Sequence, residues 1–220
     1  ARGVVRSLAA DEIVAQYMAG RALGEITNIV VMGMGEPFAN YDETMRALKL
    51  INAGKGPNLG ARHITISTCG VVLGFAKLAA EGIQFELSVS LHAPNDDIRN
   101  RIMPVNRRWG VEVLLKACRD YIAATNRRIS FEYAMMSGIN DTDECARELA
   151  SRLKGMLCHV NLIPANEVRE NDYVRSSAER LKAFADILEK NGYTMWLEAG
   201  VGTAGGRDKA WPTGHSPAAN

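Results

Sequence analysis

The residues of this chain best placed for chemistry are Met32-Gly33-Met34-Gly35-Glu36-Pro37, directly after the apolar run Ile29-Val30-Val31. If that run is a buried strand, it delivers two glycines and a carboxylate to its carboxyl end, where parallel α/β folds place their ligands. The turn does not suit a phosphate. A dinucleotide-binding turn would need a third glycine where Phe38 stands, and Glu36 would repel the anion. A ligand carrying an ammonium group fits better, because glycine lets the backbone approach closely and the carboxylate pairs the cation. The same residues also fit a tight strand-to-helix turn with a solvated glutamate.

The elements that must position these residues alternate along the chain. Strand-like runs fall at Thr27–Met34, His63–Cys69, Phe85–His92, Arg128–Met135 and His159–Ala165, with a weaker one at Thr194–Leu197. Helical periodicity covers Asp11–Ala22, Tyr41–Ala53, Leu73–Glu81, Val111–Thr125, Thr142–Leu153 and Ser177–Asn191. Gly82, Gly155 and Gly192 stand where helix C-caps are expected. This spacing is that of βα units, not of a sandwich. The strands end in residues that an apolar core does not select: Gly35-Glu36, Ser67-Thr68, Ser90-Leu91-His92, Glu132-Tyr133, and Asn161 with Asn166 beyond Pro164. Each cluster taken alone is explained by helix caps and turns. In a parallel barrel all of them converge on one face, which makes that face a binding mouth.

Composition narrows the function classes. A 220-residue chain that is 47% hydrophobic and 23% charged can bury a core and form one globular domain. The net charge of +1 argues against general polyanion binding but leaves room for a local basic patch. Cys69, Cys118, Cys145 and Cys158 are widely spaced, which suggests buried free thiols in a reducing, cytoplasmic setting and neither a disulfide framework nor a zinc site. His63, His159 and His215 lack metal-ligand spacing. No apolar run approaches the ~18 residues of a membrane span, so no membrane partner is expected.

Together the motifs resemble the radical S-adenosylmethionine methyltransferases that modify C2 of adenine in RNA. The resemblance is carried by Gly33-Met34-Gly35-Glu36-Pro37 with Asn40-Tyr41-Asp42, by Arg62–Thr68, and by Ser88-Val89-Ser90-Leu91-His92-Ala93-Pro94-Asn95-Asp96. Met103–Arg108, Phe131-Glu132-Tyr133, Gly138–Asp141 and Cys158–Pro164 continue it. It implies an α/β fold, a partial (βα)6-type barrel lacking its first strand, with residues 1–197 as the incomplete core and residues 198–220 as an irregular tail. It also assigns S-adenosylmethionine to Gly35 and Glu36 at its amino group and Ser67 at its sugar or carboxylate end. Ser90, Leu91 and His92 would line the same ligand, with Asn166 near the adenine and ribose.

The family further uses a [4Fe–4S] cluster on a C-x-x-x-C-x-x-C loop, together with a methyl-carrying and a resolving cysteine. No three cysteines here have that spacing, and Ala1–Leu8 resembles the stretch just after the loop. The expectation is therefore a fragment that supplies the S-adenosylmethionine pocket, contains no catalytic cysteine, and is inactive alone. The intact parent would methylate an adenosine of 23S ribosomal RNA and of transfer RNA. It would take electrons from a donor that serves the cluster, and would work as a monomer. For the RNA, the basic cluster Arg99, Arg101, Arg107 and Arg108, with Trp109 adjacent and Arg127 and Arg128 as extensions, suits phosphate contacts and base stacking. The alternative is a solvated loop paired to Asp96 and Asp97. Two other functions stay open: a non-catalytic remnant that binds S-adenosylmethionine or RNA, and a relative that methylates C8 of the same base. A barrel lyase or aldolase would need a Schiff-base lysine or a metal-ligand set at the strand ends, and neither is evident.

Overall fold

The computed structural model describes residues 5–165 and 173–197. Six parallel strands form one sheet in sequential order: β1 (Ile29–Val31), β2 (Ile64–Thr68), β3 (Glu86–Ser90), β4 (Ile129–Met135), β5 (Cys158–Pro164) and β6 (Met195–Leu197). Unbroken sequential order is that of a barrel wall, since a doubly wound sheet reverses its order partway. Among the described residues β1 pairs with β2 alone, so the wall is open there and the expected incomplete barrel is what forms. The tail expected over 198–220 lies outside the described residues.

Among the described residues the α-helices are α1 (Ala10–Leu23), α2 (Tyr41–Asn52), α3 (Leu73–Ala80), α4 (Asp96–Ile102), α5 (Val111–Thr125), α6 (Asp143–Leu153) and α7 (Ala178–Lys190). Asn95, Thr142 and Ser177 cap α4, α6 and α7 by accepting the amides of Ile98, Cys145 and Arg180. Alternation along the strands divides the sheet into two unlike faces. Ile64 and Ile66, Leu87 and Val89, Ile129, Phe131, Tyr133 and Met135, and Val160 and Leu162 lie on the face packed by helices, each at most 1% exposed. With Leu48, Phe75, Leu114, Leu149 and Phe184 from the helices they make the core.

The opposite face carries Thr65, Ser67, Ser88, Ser90, Ser130, Glu132, His159 and Asn161, which the register places in adjacent rows. A parallel sheet normally buries apolar side chains on both faces. Here one face does the folding and the other is polar.

Most element boundaries shift by one or two residues from the sequence reading, and the first strand shifts by more. The first strand is three residues long instead of eight, because Gly33 at φ 117° and Gly35 at φ 105° turn the chain away from the sheet. The stretch after Pro94, to which the sequence reading assigned no element, is helical. It forms α4 and then a single 3₁₀ turn, Pro104–Arg107.

Candidate functional site

The site begins at the turn after β1. The positive φ of Gly33 and Gly35 is a conformation that residues with a Cβ rarely adopt. A Cβ built on either glycine would meet no atom within 4 Å, so the glycines are needed for the backbone path and leave open space in front of it. Glu36 then turns inward. Its carboxylate accepts the Phe38 amide at 2.9 Å and the Thr68 hydroxyl at 2.7 Å on one oxygen, and the Cys69 amide at 2.7 Å on the other. Glu36 is thus half-buried and stitched to the end of β2.

Ser67, Ser90 and Glu132 follow on the polar face. Glu132 is 8% exposed and accepts the Ser88 hydroxyl at 2.7 Å and the Asn161 amide at 2.8 Å, spanning three strands. One row lower, the Ser130 hydroxyl lies 2.7 Å from His159 Nε2. Burial, with a smaller contribution from Arg128, pushes His159 down from its ordinary value and keeps it neutral.

His92 closes this side of the site. It adopts φ 56°, and its Nδ1 accepts the Ala134 amide at 2.9 Å, which assigns the proton of the neutral ring to Nε2. Burial, aided by the charge of Arg99, pushes its pKa down to about 4. Asn140, fully buried, fixes the turn by donating to the carbonyls of His92 and Ala134.

The structure therefore brings Gly35, Glu36, Ser67, Ser90 and His92 to one end of the sheet. It places one predicted residue differently. The Leu91 side chain is 0% exposed and belongs to the core, so only its backbone faces the strand ends. Asn166 lies outside the described residues.

Burial divides the basic cluster. Arg99 is 0% exposed and cannot meet RNA. Its guanidinium donates to the carbonyls of Cys69, Ser90 and Leu91 and to Asn106 Oδ1. Arg127 is engaged by Glu86. Arg101, Arg107, Arg108 and Arg128 remain exposed, and the Arg108 guanidinium lies over the Trp109 ring at 4.5 Å. Sequence reasoning missed Arg99, Asn140 and Thr68 as the parts that hold the strand ends. The sequence carries no signal for Arg99, because α4 has seven residues and no apolar period that would mark a buried face.

An iron–sulfur cluster does not fit the thiols of this chain. Cys118 is buried on α5 and Cys145 on α6, while Cys69 and Cys158 sit on β2 and β5 ends. Burial pushes the thiols of Cys69 and Cys158 up to about 12, so both are protonated and unreactive as they stand. Among the described residues no three Cys, His, Asp or Glu side chains could hold a metal ion. No described helix is long and apolar enough to cross a membrane.

Known proteins resemble this chain in fold and sequence. A solved radical SAM methyltransferase from Sphaerobacter thermophilus superposes with a TM-score of 0.85 at 47% identity, over 89% of this chain and 59% of that one. A domain of pyruvate-formate lyase-activating enzyme from Bacteroides vulgatus shares the fold alone, with a TM-score of 0.62 at 17% identity over 79% of this chain and 100% of that domain. In sequence, the probable dual-specificity RNA methyltransferases RlmN of Clostridium tetani and Caldanaerobacter subterraneus are each 50% identical over 91% of this chain. The chain spans 58% and 59% of their lengths. Residues 1–152 match the radical SAM superfamily, and with the glycine turn, the stitched glutamate and the polar strand ends in place, the chain belongs to that superfamily.

Proposed function

We propose that this chain is the S-adenosylmethionine-binding barrel of an RNA methyltransferase that modifies C2 of adenosine in 23S ribosomal and transfer RNA. The observation that carries the reading is Glu36, fixed by three hydrogen bonds beside a glycine turn with open space in front of it. A carboxylate oxygen has more than one acceptor direction, so the oxygen that takes the Cys69 amide can also receive an ammonium group. Gly35 gives the ligand's amino end backbone access. Ser67 and Ser90 offer hydroxyls to its carboxylate and sugar. The Nε2–H of the neutral His92 is a donor near the same strand ends, and Asn166 is assigned to the adenine. Bound there, S-adenosylmethionine supplies a methyl group and the source of a carbon radical, while the protein orients it and excludes water.

Arg101, Arg107 and Arg108 with Trp109 are assigned to RNA, through phosphate contacts and stacking on an unpaired base. The longer protein would work in the cytoplasm as a monomer, with an electron donor as partner. Because the four cysteines do not fit a cluster, these 220 residues are expected to hold S-adenosylmethionine without cleaving it. Formation of 5′-deoxyadenosine after anaerobic reconstitution with iron and sulfide would overturn that expectation.

Calorimetric titration of the chain with S-adenosylmethionine tests the pocket. Glu36→Gln keeps one acceptor oxygen but loses the charge, and is expected to weaken binding about tenfold, the worth of one charge-assisted hydrogen bond. Unchanged affinity in a folded Glu36→Gln protein would remove the ammonium assignment.

A further inference from the structure

The end of a parallel strand leaves carbonyls that the sheet no longer pairs, and buried carbonyls need donors. At the ends of β2 and β3 one side chain supplies them. Arg99 Nη2 donates to Cys69 O at 2.7 Å and to Ser90 O at 3.0 Å, and Nε donates to Leu91 O at 2.9 Å. Nη1 donates to Asn106 Oδ1 at 3.0 Å, inside the 3₁₀ turn that carries Arg107 and ends at Arg108. Asn106 in turn donates to Asp96 Oδ1 at 2.8 Å and to Asn100 Oδ1 at 2.9 Å, and the same Asp96 oxygen accepts the Val111 amide at the start of α5.

A charge with no exposed surface is costly to bury, and here its donors satisfy carbonyls that an apolar side chain would leave unpaired. What the guanidinium adds is direction. Its rigid fork meets three carbonyls from two strands and one amide from a separate turn, which a lysine ammonium cannot do from one position. The packing leaves no slack. A Cβ on Gly70, which has φ 105°, would come within 3.3 Å of the Arg99 guanidinium and within 3.1 Å of Leu114.

We propose that Arg99 is a positioning residue that clamps the ends of β2 and β3 to the 104–107 turn, so that the ligand-binding strand ends and the basic surface move as one rigid unit. What those strand ends bind rests on the S-adenosylmethionine reading; the clamp itself does not. Two elements that would otherwise meet different molecules, a small ligand and an RNA backbone, are held through a single planar group.

The test compares Arg99→Lys, Arg99→Ala and Asn106→Ala in the full chain, by amide hydrogen exchange and by titration with S-adenosylmethionine. In Arg99→Lys the amides of Cys69, Leu91 and His92 are expected to exchange about tenfold faster, the equivalent of one lost net hydrogen bond, while Ile129 and Val160 in the core stay slow. S-Adenosylmethionine affinity should fall by a similar factor. In Arg99→Ala, millimolar guanidinium chloride should restore slow exchange at the strand ends, and ammonium chloride should not. Asn106→Ala should release the Arg108 and Trp109 amides and leave the strand ends protected. Uniform acceleration of every amide in Arg99→Lys, unchanged exchange at the strand ends, or equal rescue by either salt would each overturn the clamp. If the unaltered chain fails to bind S-adenosylmethionine, the ligand reading falls and the exchange pattern still decides the role of Arg99.

Discussion

His92 illustrates how much of this site is set by the surroundings of a residue and how little by its type. The left-handed φ of 56° and the Ala134 amide on Nδ1 hold the ring, and burial brings its pKa from an ordinary 6.5 to about 4. The consequence for stability has a definite sign. Between pH 6.5 and about 4 the unfolded chain binds a proton at this residue that the folded chain does not. Stability therefore falls as the pH drops through that window and levels off below it, by at most about 3 kcal/mol from this group. His159, also depressed by burial, adds in the same direction. Asn tolerates positive φ and keeps an acceptor for the Ala134 amide. His92→Asn should thus lose about 2 kcal/mol less than the unaltered protein between pH 7 and pH 4.5 in urea unfolding. Equal losses in the two proteins would show that the ring does not titrate as described. Residue types were legible in the sequence: Gly35, Glu36, Ser67, Ser90 and His92 do meet at one end of the sheet. Burial was not, so Arg99 passed for a surface cation and Leu91 for a lining residue.

At the scale of elements, the apolar periods of α2, α5, α6 and α7 each exceed two turns and bury one stripe, which makes them readable. The seven residues of α4 are too short for a period to register, and their helix is set by the Asn95 cap and by Arg99 beneath it. The strand before Gly33 reads as eight residues because its apolar composition continues through Met34, although only Ile29–Val31 pair with β2. Composition cannot show where glycine dihedrals leave the sheet. Caps behave as local, additive devices. Thr142→Ala removes the acceptor for the Cys145 amide and should cost about 1 kcal/mol, seen as a lower urea midpoint with an unchanged slope. A change in slope would mean that α6 contributes to cooperativity beyond its cap.

At the scale of the molecule, a net charge of +1 confines any RNA contact to a patch, and the exposed part of that patch is Arg101, Arg107 and Arg108 beside Trp109. If Arg107 and Arg108 each neutralise a phosphate, replacing both with Ala should flatten the plot of log affinity against log salt by about 1.5 to 2 for an RNA hairpin. A uniform loss with no change in slope would assign them to something other than phosphate. Stability is carried by the helix-facing rows of Ile66, Val89, Phe131 and Leu162, while Ser67, Ser90, Glu132 and Asn161 on the other face contribute little apolar burial. Heritable change can therefore accumulate on the two faces under separate constraints, one scored by whether the chain folds and the other by what it holds. A library randomised only along the polar rows should yield mostly folded proteins with altered ligand preference, which makes this half-barrel a scaffold whose pocket can be rewritten without renegotiating its core.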